Sequence, residues 1–225
     1  MSRDVNFKCS GLHGQNGFTL IEMMISMAIG LVILAGLTTI FVSFNASNSA
    51  AASRTERMSD LYLASHIIQT ELRQSLNAQL STDLVAGTED VLDNLTSRGV
   101  SKPASYPTNA ADFDALPYWD ATSKTLTYQD MDGNVGIFQY QRTSNERIYW
   151  LRPLAAGVSG SATFQELMRD LNTADGFEIF NPSTHVEVTT GGMSGGLEAV
   201  LRSTFKNENK VSKDISLTFK IWPRN

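Results

Sequence analysis

One carboxylate in this sequence lies where a charge is costly to place. Glu22 is the only ionisable side chain between Phe18 and Ser53, and the run from Met23 to Phe44 consists mostly of Met, Ile, Leu, Val, Ala and Phe. At about 1.5 Å per residue, a helix of that length covers the roughly 30 Å hydrocarbon core of a bilayer. A charged side chain at the centre of a bilayer costs roughly 2.5–3.5 kcal/mol on insertion scales, so Glu22 is a candidate functional residue whose partner must be found.

The residues just before the apolar run form a pattern with this carboxylate. Gly17 is followed by Phe18, three further residues and Glu22. This stretch resembles the class III signal of type IV prepilins, in which an inner-membrane prepilin peptidase cuts after the glycine and methylates the new amino group. The resemblance implies that residues 1–17 are a leader, that Phe18 is the N-methylated first residue of the mature chain, and that Glu22 acts in assembly.

Cleavage after Gly17 would also create a partner for Glu22. The α-amino group of Phe18 has a reference pKa of about 7.7–8.0, and positions 18 and 22 are one helical turn apart, so the two groups could pair within one helix. The resemblance implies a further pairing, between Glu22 of an incoming subunit and the Phe18 amine of its neighbour. Two charges paired in lipid favour one stagger between helices, because a shifted register leaves both unpaired. The alternative is a carboxylate that snorkels to the head groups near a helix end.

A cleaved secretory signal is the alternative interpretation of the N-terminus. Such a signal has an apolar segment of roughly 7–15 residues followed by a small-residue cleavage site. The run from Met23 to Phe44 is longer than that, and the residues before Phe18 include only Arg3 and Lys8 as basic side chains. Ala50–Ala52 would serve as the signal-peptidase site in this alternative.

Composition and charge argue against several classes of protein. A chain of 225 residues allows one domain and an appendage. The leader accounts for two of the 18 basic and one of the 23 acidic residues, so residues 18–225 carry a net charge of −6. An acidic chain argues against general nucleic-acid affinity, which needs clustered Lys and Arg. Cys9 lies in the leader, so the mature chain would form no disulfide. No cofactor and no metal site are predicted.

The element that must position Gly17, Phe18 and Glu22 is one long helix, predicted over residues 18–80. Its first part, residues 18–44, is the predicted transmembrane segment. From Met58 onward apolar residues recur at i, i+3 and i+4 spacing, so the second half should be amphipathic and pack on a globular domain. Residues 45–53 are small and polar, and the alternative is a separate helix that follows a flexible joint there.

The remaining residues, 81–225, are predicted to form a β-rich antiparallel globular head, so the fold class is α+β. Residues 81–123 are interpreted as irregular connection with one short helix near Glu89–Leu95. Beyond them, β-branched and aromatic residues between turn signals predict seven strands. These are Lys124–Gln129, Val135–Arg142, Arg147–Leu151, Phe177–Phe180, His185–Thr189, Leu197–Phe205 and Ile215–Trp222.

One further helix is predicted inside the head. Thr163 and Glu166 have the spacing of a capping box, and apolar residues at helical spacing follow as far as Leu171. The segment is therefore expected to be a short helix that ends near Gly176. The strand Leu197–Phe205 is expected to pair with the last strand of the chain.

Two groups of residues match catalytic or metal-binding patterns only in part. Gly192–Gly196 matches the G-x-S-x-G nucleophile pattern, but no histidine follows Ser194, so a mobile turn is favoured over a serine hydrolase. Asp130, Asp132 and Asn134 are similar to the start of a calcium loop, but the later positions do not fit an EF-hand. A hairpin turn is therefore favoured, with cation binding as the alternative.

The remaining candidates are histidines and aromatic pairs. His66 and His185 have no Cys or His partner at metal-ligand spacing, and His66 is interpreted as a packed or flanking residue of the helix. The pairs Tyr118-Trp119 and Tyr149-Trp150 are interpreted as core anchors, with a recognition surface as the alternative.

The order of these elements resembles minor pilins of the PilW-like type, which have a prepilin signal, a long N-terminal helix, a β-rich head and a final strand at the C-terminus. The resemblance implies a minor type IV pilin subunit, not an enzyme, that takes part in pilus assembly or initiation for motility, adhesion or DNA uptake. The alternatives are a minor pseudopilin of a type II secretion system, or a membrane-anchored periplasmic adhesin or enzyme.

The same resemblance implies partners and a location. The partners are prepilin peptidase, other minor and major pilins, an inner-membrane assembly platform and, before assembly, membrane lipid, with no nucleic acid bound directly. The protein is expected to cross the inner membrane once with its head in the periplasm, and then to enter the pilus at the cell surface.

Overall fold

The computed structural model describes residues 17–78, 95–101, 116–142, 146–154, 163–193 and 195–222. Contacts divide the chain into two units, Met1–Ala46 and Ser47–Asn225. Helix α1, Leu20–Ala78, contributes to both units, and all of the strands belong to the second.

Helix α1 begins two residues after the predicted start because Thr19 caps its N-terminus. The hydroxyl of Thr19 accepts a hydrogen bond from the main-chain N–H of Glu22 at 3.3 Å, as an N-cap residue does. Residues 45–53, where the alternative had a flexible joint, are helical. The predicted end at residue 80 lies outside the described residues.

In the described part of the first unit, residues 17–46, the large apolar side chains of α1 are exposed. The large apolar side chains from Leu20 to Phe44 are each more than half exposed. The hydroxyls of Ser26, Thr38 and Thr39 donate to main-chain carbonyls one turn earlier, at 2.7–3.0 Å. Within the described part of the chain, α1 is the one helix long and apolar enough to cross a membrane, with a mean hydropathy of 2.4 in its most apolar window. Hydroxyls satisfied inside the helix suit a hydrocarbon environment, which offers no hydrogen bonds.

The head of the second unit contains two antiparallel sheets, which confirms the predicted α+β class. The larger sheet has six strands in the order β5-β4-β3-β2-β1-β7, and the smaller sheet has three in the order β6-β8-β9. The strands are β1 Tyr118–Asp120, β2 Thr125–Gln129, β3 Val135–Gln141, β4 Arg147–Leu151, β5 Gln165–Met168, β6 Phe177–Phe180, β7 Thr190–Gly192, β8 Leu197–Lys206 and β9 Ser212–Ile221.

Six of the seven predicted strands are confirmed, with bounds that differ from the prediction by up to three residues. They correspond to β2, β3, β4, β6, β8 and β9. The expected pairing of the last two strands is also confirmed, since β8 and β9 form a hairpin in which Leu197 lies opposite Ile221 and Lys206 lies opposite Ser212. These strands combine β-branched or aromatic residues with a nearby turn, so their signal is local.

The predicted helix from Thr163 to Leu171 is wrong, because part of this segment pairs with β4 as an edge of the larger sheet. β5 places Glu166 opposite Tyr149, with a register shift between Ile148 and Tyr149. The carboxylate of Glu166, which a capping box would direct to the amide of Thr163, contacts the guanidinium of Arg147 on β4. Pairing with a strand distant in the sequence therefore overrides the local helix signal.

The predicted strand His185–Thr189 is also wrong. The main-chain N–H of Asn181 donates to the carbonyl of Val186 at 2.9 Å, which closes a tight loop around His185. Only Glu187 forms an isolated bridge, with Phe180, and strand β7 begins after the predicted segment. β1 lies in the segment that was interpreted as irregular, and of the short helix near Glu89–Leu95 only Leu95 lies within the described residues, in a single turn.

The second half of α1 packs on the head through one apolar face, as its periodicity predicted. Leu61, Ala64, Ile68 and Leu72 are fully buried, and they share a core with aromatic side chains of both sheets, Trp119, Tyr128, Phe138 and Phe177. Full burial of a Leu or Ile side chain stabilises a fold by about 1.5–3 kcal/mol. This face is therefore the main attachment of the helix to the head.

The larger sheet is covered on its opposite face by a second, smaller cluster. Phe138 belongs to the core shared with α1, whereas its neighbour Ile137 packs with Leu95, Val135 and Leu151. Consecutive residues of a strand point to opposite faces, so the sheet is apolar on both sides at β3. This explains why the burial of β3 does not alternate between buried and exposed positions.

Polar contacts reinforce the attachment of α1 to the larger sheet. The hydroxyl of Tyr128 donates to the carboxylate of Glu71 on α1 at 3.1 Å and accepts from the indole N–H of Trp150 at 2.8 Å. The ring of Phe138 stacks between these two aromatic rings, at 5.2 Å from Tyr128 and 6.0 Å from Trp150. Gly136 is required beside this stack, because a Cβ there would lie 2.3 Å from the ring of Tyr128.

An ion pair makes a second polar contact between α1 and the head. The guanidinium of Arg57 lies 2.5 Å from the carboxylate of Asp170, and the main-chain carbonyl of Asp170 accepts from the hydroxyl of Ser203 at 2.7 Å. The helix is thus held by polar contacts at residues 57 and 71 in addition to its apolar face.

Candidate functional site

The predicted cleavage site lies in non-helical backbone immediately before α1. Gly17, Phe18 and Thr19 precede the first helical residue, and the side chain of Phe18 is 79% exposed. A Cβ added at Gly17 would meet no atom within 4 Å. Within the described residues, no packing contact therefore requires a glycine at position 17.

Glu22 lies in the first turn of α1 and closes a capping box with Thr19. One carboxylate oxygen, Oε2, accepts from the main-chain N–H of Thr19 at 3.0 Å and from the hydroxyl of Thr19 at 3.0 Å. The same hydroxyl accepts from the N–H of Glu22. These are the reciprocal bonds of a capping box, which satisfy two of the free N–H groups at a helix N-terminus.

The position of Glu22 also suits the charge distribution of the helix. The aligned peptide dipoles leave partial positive charge at a helix N-terminus, so a carboxylate in the first turn is stabilised there. In the uncut chain, the partner of Glu22 is thus Thr19 and not Phe18, whose nitrogen is still part of a peptide bond. Sequence reasoning missed Thr19, although the Thr-x-x-Glu spacing that marks a capping box is visible in the sequence.

The apolar residues beside the capping box complete the surface around Glu22. Leu20, Met23, Met24 and Met27 are each 64–80% exposed within the first turns of α1. A carboxylate on such a surface is suited to lipid only if it is hydrogen-bonded or paired. The site therefore combines one anchored carboxylate with an apolar surface suited to lipid or to other helices.

The G-x-S-x-G pattern does not form a described site. Gly192 ends strand β7, whereas Ser194 lies outside the described residues. The ring of His185 lies on the tight loop after β6, where Nδ1 is 2.8 Å from the carboxylate of Glu198. That carboxylate is also 3.3 Å from the ammonium of Lys220, so the ring of His185 belongs to a polar cluster beside the smaller sheet.

The segment from Asp130 to Asn134 is the predicted hairpin turn between β2 and β3. The carboxylate of Asp130 accepts from the main-chain N–H groups of Asp132 and Asn134, both at 2.9 Å, and from the side-chain amide of Asn134 at 3.0 Å. Both oxygens of Asp130 are thus used to close the turn. Within the described residues, no group of three or more His, Cys, Asp or Glu side chains could hold a metal ion.

The aromatic pairs contribute to the core, as predicted, except for Tyr149. Trp119 is fully buried and packs edge-on against Phe177 at 5.4 Å, and Tyr118 is buried in the smaller cluster. Trp150 and Tyr149 are both partly buried, but Trp150 packs against the core and belongs to the aromatic stack. His66 is exposed on α1 and is not a packed residue.

The N-terminal residues of the chain are similar to a known family of sequences. Residues 12–38 match the family model described as the prokaryotic N-terminal methylation motif. This interval contains Gly17, Phe18, Thr19 and Glu22, together with the first turns of the apolar helix. The motif and the exposed apolar helix together indicate that the chain is anchored in a membrane.

A curated relative extends the similarity beyond the motif. The chain is 34% identical over 76 residues to a protein named type II secretion system protein J from Vibrio cholerae serotype O1, and the match covers 34% of each protein. The chain thus matches about a third of the length of this relative. No solved structure matches the chain. The methylation motif next to a capped apolar helix, the β-rich head after it and the similarity to a type II secretion system protein support a type IV pilin-like protein.

Proposed function

We propose that this protein is a minor type IV pilin subunit that takes part in pilus assembly or initiation. The observation that carries the proposal is the position of the methylation motif, whose glycine and phenylalanine lie in exposed backbone directly before a capped apolar helix. A prepilin peptidase needs an accessible peptide bond at the membrane surface. The exposed apolar segment from Leu20 to Phe44 then supplies the surface that other pilin helices would cover.

The proposed processing converts the N-terminus into an assembly site. Prepilin peptidase cuts between Gly17 and Phe18 and methylates the new amino group of Phe18. Glu22 of an incoming subunit then pairs with that amine on its neighbour. Because two charges in lipid are both unpaired in a shifted register, this pairing selects one stagger between subunits. The head is proposed to lie in the periplasm before assembly and on the pilus afterwards.

Within the described residues of the head, side chains that could do chemistry are used in structural contacts. The carboxylate of Asp130 closes a turn, and the carboxylate of Glu198 contacts Lys220 and the ring of His185. We therefore propose that the head is not an enzyme and that it contacts other minor and major pilins. The inner-membrane assembly platform is proposed as a further partner, and direct binding of nucleic acid is not proposed.

A minor pseudopilin of a type II secretion system is the second candidate function. The observation that favours it is the similarity to the Vibrio cholerae protein, whose name assigns it to that system. Both machines would use the same processed N-terminus and the same apolar helix. The difference between them concerns which filament takes up the subunit.

Processing is tested by the mass of the purified full-length gene product and by its N-terminal sequence. The proposal expects a chain that starts at Phe18 and carries one methyl group on its amine. The control is the Gly17→Lys variant, which should remain uncut and keep Met1. A wild-type chain that begins at Met1, or near residue 50, would contradict the proposal.

The two filament systems are separated by deleting the gene in its own host. The pilus proposal expects loss of surface pili and of pilus-dependent movement with normal protein secretion. The secretion alternative expects the reverse, namely retention of secreted enzymes in the periplasm by cells with normal pili. The Gly17→Lys variant should fail to restore whichever phenotype appears, and restoration by this uncut protein would show that a membrane-anchored adhesin or enzyme is the better description.

A further inference from the structure

We propose that Thr19 is the positioning residue for Glu22, holding one carboxylate oxygen on its own helix so that the other oxygen is presented to the amine of a neighbouring subunit. This inference rests on the proposed function, because it concerns how the assembly carboxylate is oriented. It adds a residue to the site, and it assigns separate roles to the two oxygens of Glu22.

The carboxylate of Glu22 accepts hydrogen bonds from Thr19 through one of its two oxygens. Both donors of Thr19, the main-chain N–H and the hydroxyl, reach the same oxygen of Glu22, Oε2, at 3.0 Å. In the described part of the chain, no hydrogen bond reaches the other oxygen, Oε1. An ionised carboxylate has two oxygens that can each accept more than one hydrogen bond. The capping box therefore uses one side of the group and leaves the other side available.

The same bonds limit the side-chain conformations available to Glu22. A free glutamate on a helix surface has several rotamers and could snorkel toward the head groups. Two hydrogen bonds to Thr19 hold the carboxylate over the N-terminal turn instead. A neighbour's amine then meets a carboxylate with a fixed position, so less conformational freedom is lost when the pair forms.

The surrounding lipid favours keeping the capping box closed. Hydrocarbon offers no hydrogen bonds to the free N–H groups of a helix end, so those groups must find partners within the protein. The N–H of Thr19 and the N–H of Glu22 both find partners inside the capping box. The bond that connects Thr19 to the helix is not removed when the chain is cut between Gly17 and Phe18. The capping box can thus persist while Oε1 accepts the amine of another subunit.

The variants that test this inference change the hydroxyl of Thr19 and keep its shape. Thr19→Val is nearly isosteric but has no hydroxyl, whereas Thr19→Ser keeps the hydroxyl. Full-length variants are expressed in a host that lacks the native copy. The measured quantity is the fraction of the protein in sheared filaments relative to the membrane, by quantitative immunoblotting, after mass spectrometry has shown that each variant is cut and methylated.

We expect Thr19→Val to lower the filament fraction about tenfold, the size expected for one lost hydrogen bond to a charged group. Thr19→Ser should remain within about twofold of wild type. Because Thr19 is proposed to act through Glu22, adding Thr19→Val to a Glu22→Gln protein should change the filament fraction much less than it does in wild type. A merely structural role in the helix would give similar losses in both backgrounds.

Several outcomes would overturn the inference without touching the proposed function. These are a Thr19→Val protein that assembles like wild type, a Thr19→Ser protein as defective as Thr19→Val, and equal losses in the wild-type and Glu22→Gln backgrounds. If neither Thr19→Val nor Thr19→Ala is cut, Thr19 acts in recognition by the peptidase and the positioning role is wrong. By contrast, a wild-type chain that is cut elsewhere or absent from filaments contradicts the proposed function itself.

Discussion

Two segments of this protein share the spacing of a capping box, yet only one of them forms it. Thr19 and Glu22 form reciprocal hydrogen bonds at the start of α1. By contrast, Glu166 lies within the edge strand β5, and Thr163 precedes that strand. The difference lies in the residues that come next along the chain and in the strand that is available alongside. A long apolar run continues the first segment as a helix, and the second segment has the edge of β4 available for pairing.

The comparison shows when a local signal decides structure and when it does not. At Thr19 the alternatives to a helix would leave main-chain groups without partners in lipid, so local preference and environment agree. At Thr163 a strand partner supplies main-chain hydrogen bonds, a cross-strand ion pair with Arg147 and burial of Met168. These non-local contacts outweigh a cap that contributes only about 1 kcal/mol.

The largest expected effect separates the two glutamates by function. Glu22→Ala should lower the filament fraction at least tenfold, because the Phe18 amine of the neighbouring subunit then loses its charge partner in lipid. The matched variant Glu166→Ala should leave assembly within about twofold of wild type. The measurement is the filament-to-membrane ratio of each full-length variant, and an assembly defect in Glu166→Ala equal to that of Glu22→Ala would remove the proposed distinction.

The next prediction tests whether the second segment is a strand. Met168 is 3% exposed and packs in the shared core, whereas its neighbour Leu167 is only partly buried. Met168→Ala should therefore destabilise the protein by about 2–4 kcal/mol, and Leu167→Ala by about 1 kcal/mol. The measurement is thermal unfolding of the full-length chain in mild detergent, followed by tryptophan fluorescence. Equal losses at both positions would support the helix that the sequence favoured.

A pH dependence is expected of two tyrosines in the head. Burial raises the pKa of Tyr140 to about 12, and burial also raises the pKa of Tyr128. Because the unfolded tyrosine loses its proton near pH 10, the folded chain binds more protons above that pH. The free energy of unfolding is thus at its full value below about pH 10 and decreases as the pH rises toward 12.

The measurement of this effect is the melting temperature of the full-length chain between pH 8 and pH 12. Tyr140→Phe, which removes the hydroxyl that donates to the carbonyl of Asn172 at 2.5 Å, should melt lower at pH 8 and lose less stability toward pH 12. A Tyr140→Phe curve parallel to that of wild type would show that this tyrosine does not titrate with unfolding.

The smallest expected effects compare the two threonines directly. Thr163 is exposed and starts no helix, so Thr163→Ala should change the melting temperature by less than about 2 °C, as for an ordinary surface substitution. Thr19→Ala removes a working cap and should speed hydrogen exchange of the Glu22 amide about fivefold in detergent. The check is mass-resolved hydrogen exchange of both variants, and a change at β5 larger than that at α1 would contradict the comparison.

The features that could be predicted from the sequence are those whose signals lie within a few residues of one another. The Gly17–Phe18–Glu22 pattern and the apolar run predicted the matched motif and the exposed helix. The turns at Asp130–Asn134 and between β8 and β9 are flanked by strand-forming residues, so these hairpins were also predicted. In each case the partners are close in sequence, and little chain entropy opposes their meeting.

Within the candidate site, the sequence by itself determined the capping box, although the capping box was not predicted. The spacing of Thr19 and Glu22, together with the apolar run that continues the helix, specifies a capping box without any help from the head, because every bond in it is local. By contrast, the structure was needed to show that both donors of Thr19 reach one oxygen. That geometry depends on side-chain conformation, which residue spacing does not define.

Only the tertiary structure decided the edges of the sheets and the attachment of α1. β1 is three residues long and exists because β2 and β7 pair on its two sides, and β5 exists because β4 offers an edge. The bonds from Tyr128 to Glu71 and from Arg57 to Asp170 join residues 57 and 113 positions apart. Such contacts form only when the core has brought distant segments together. For that reason, no local pattern in the sequence predicts them.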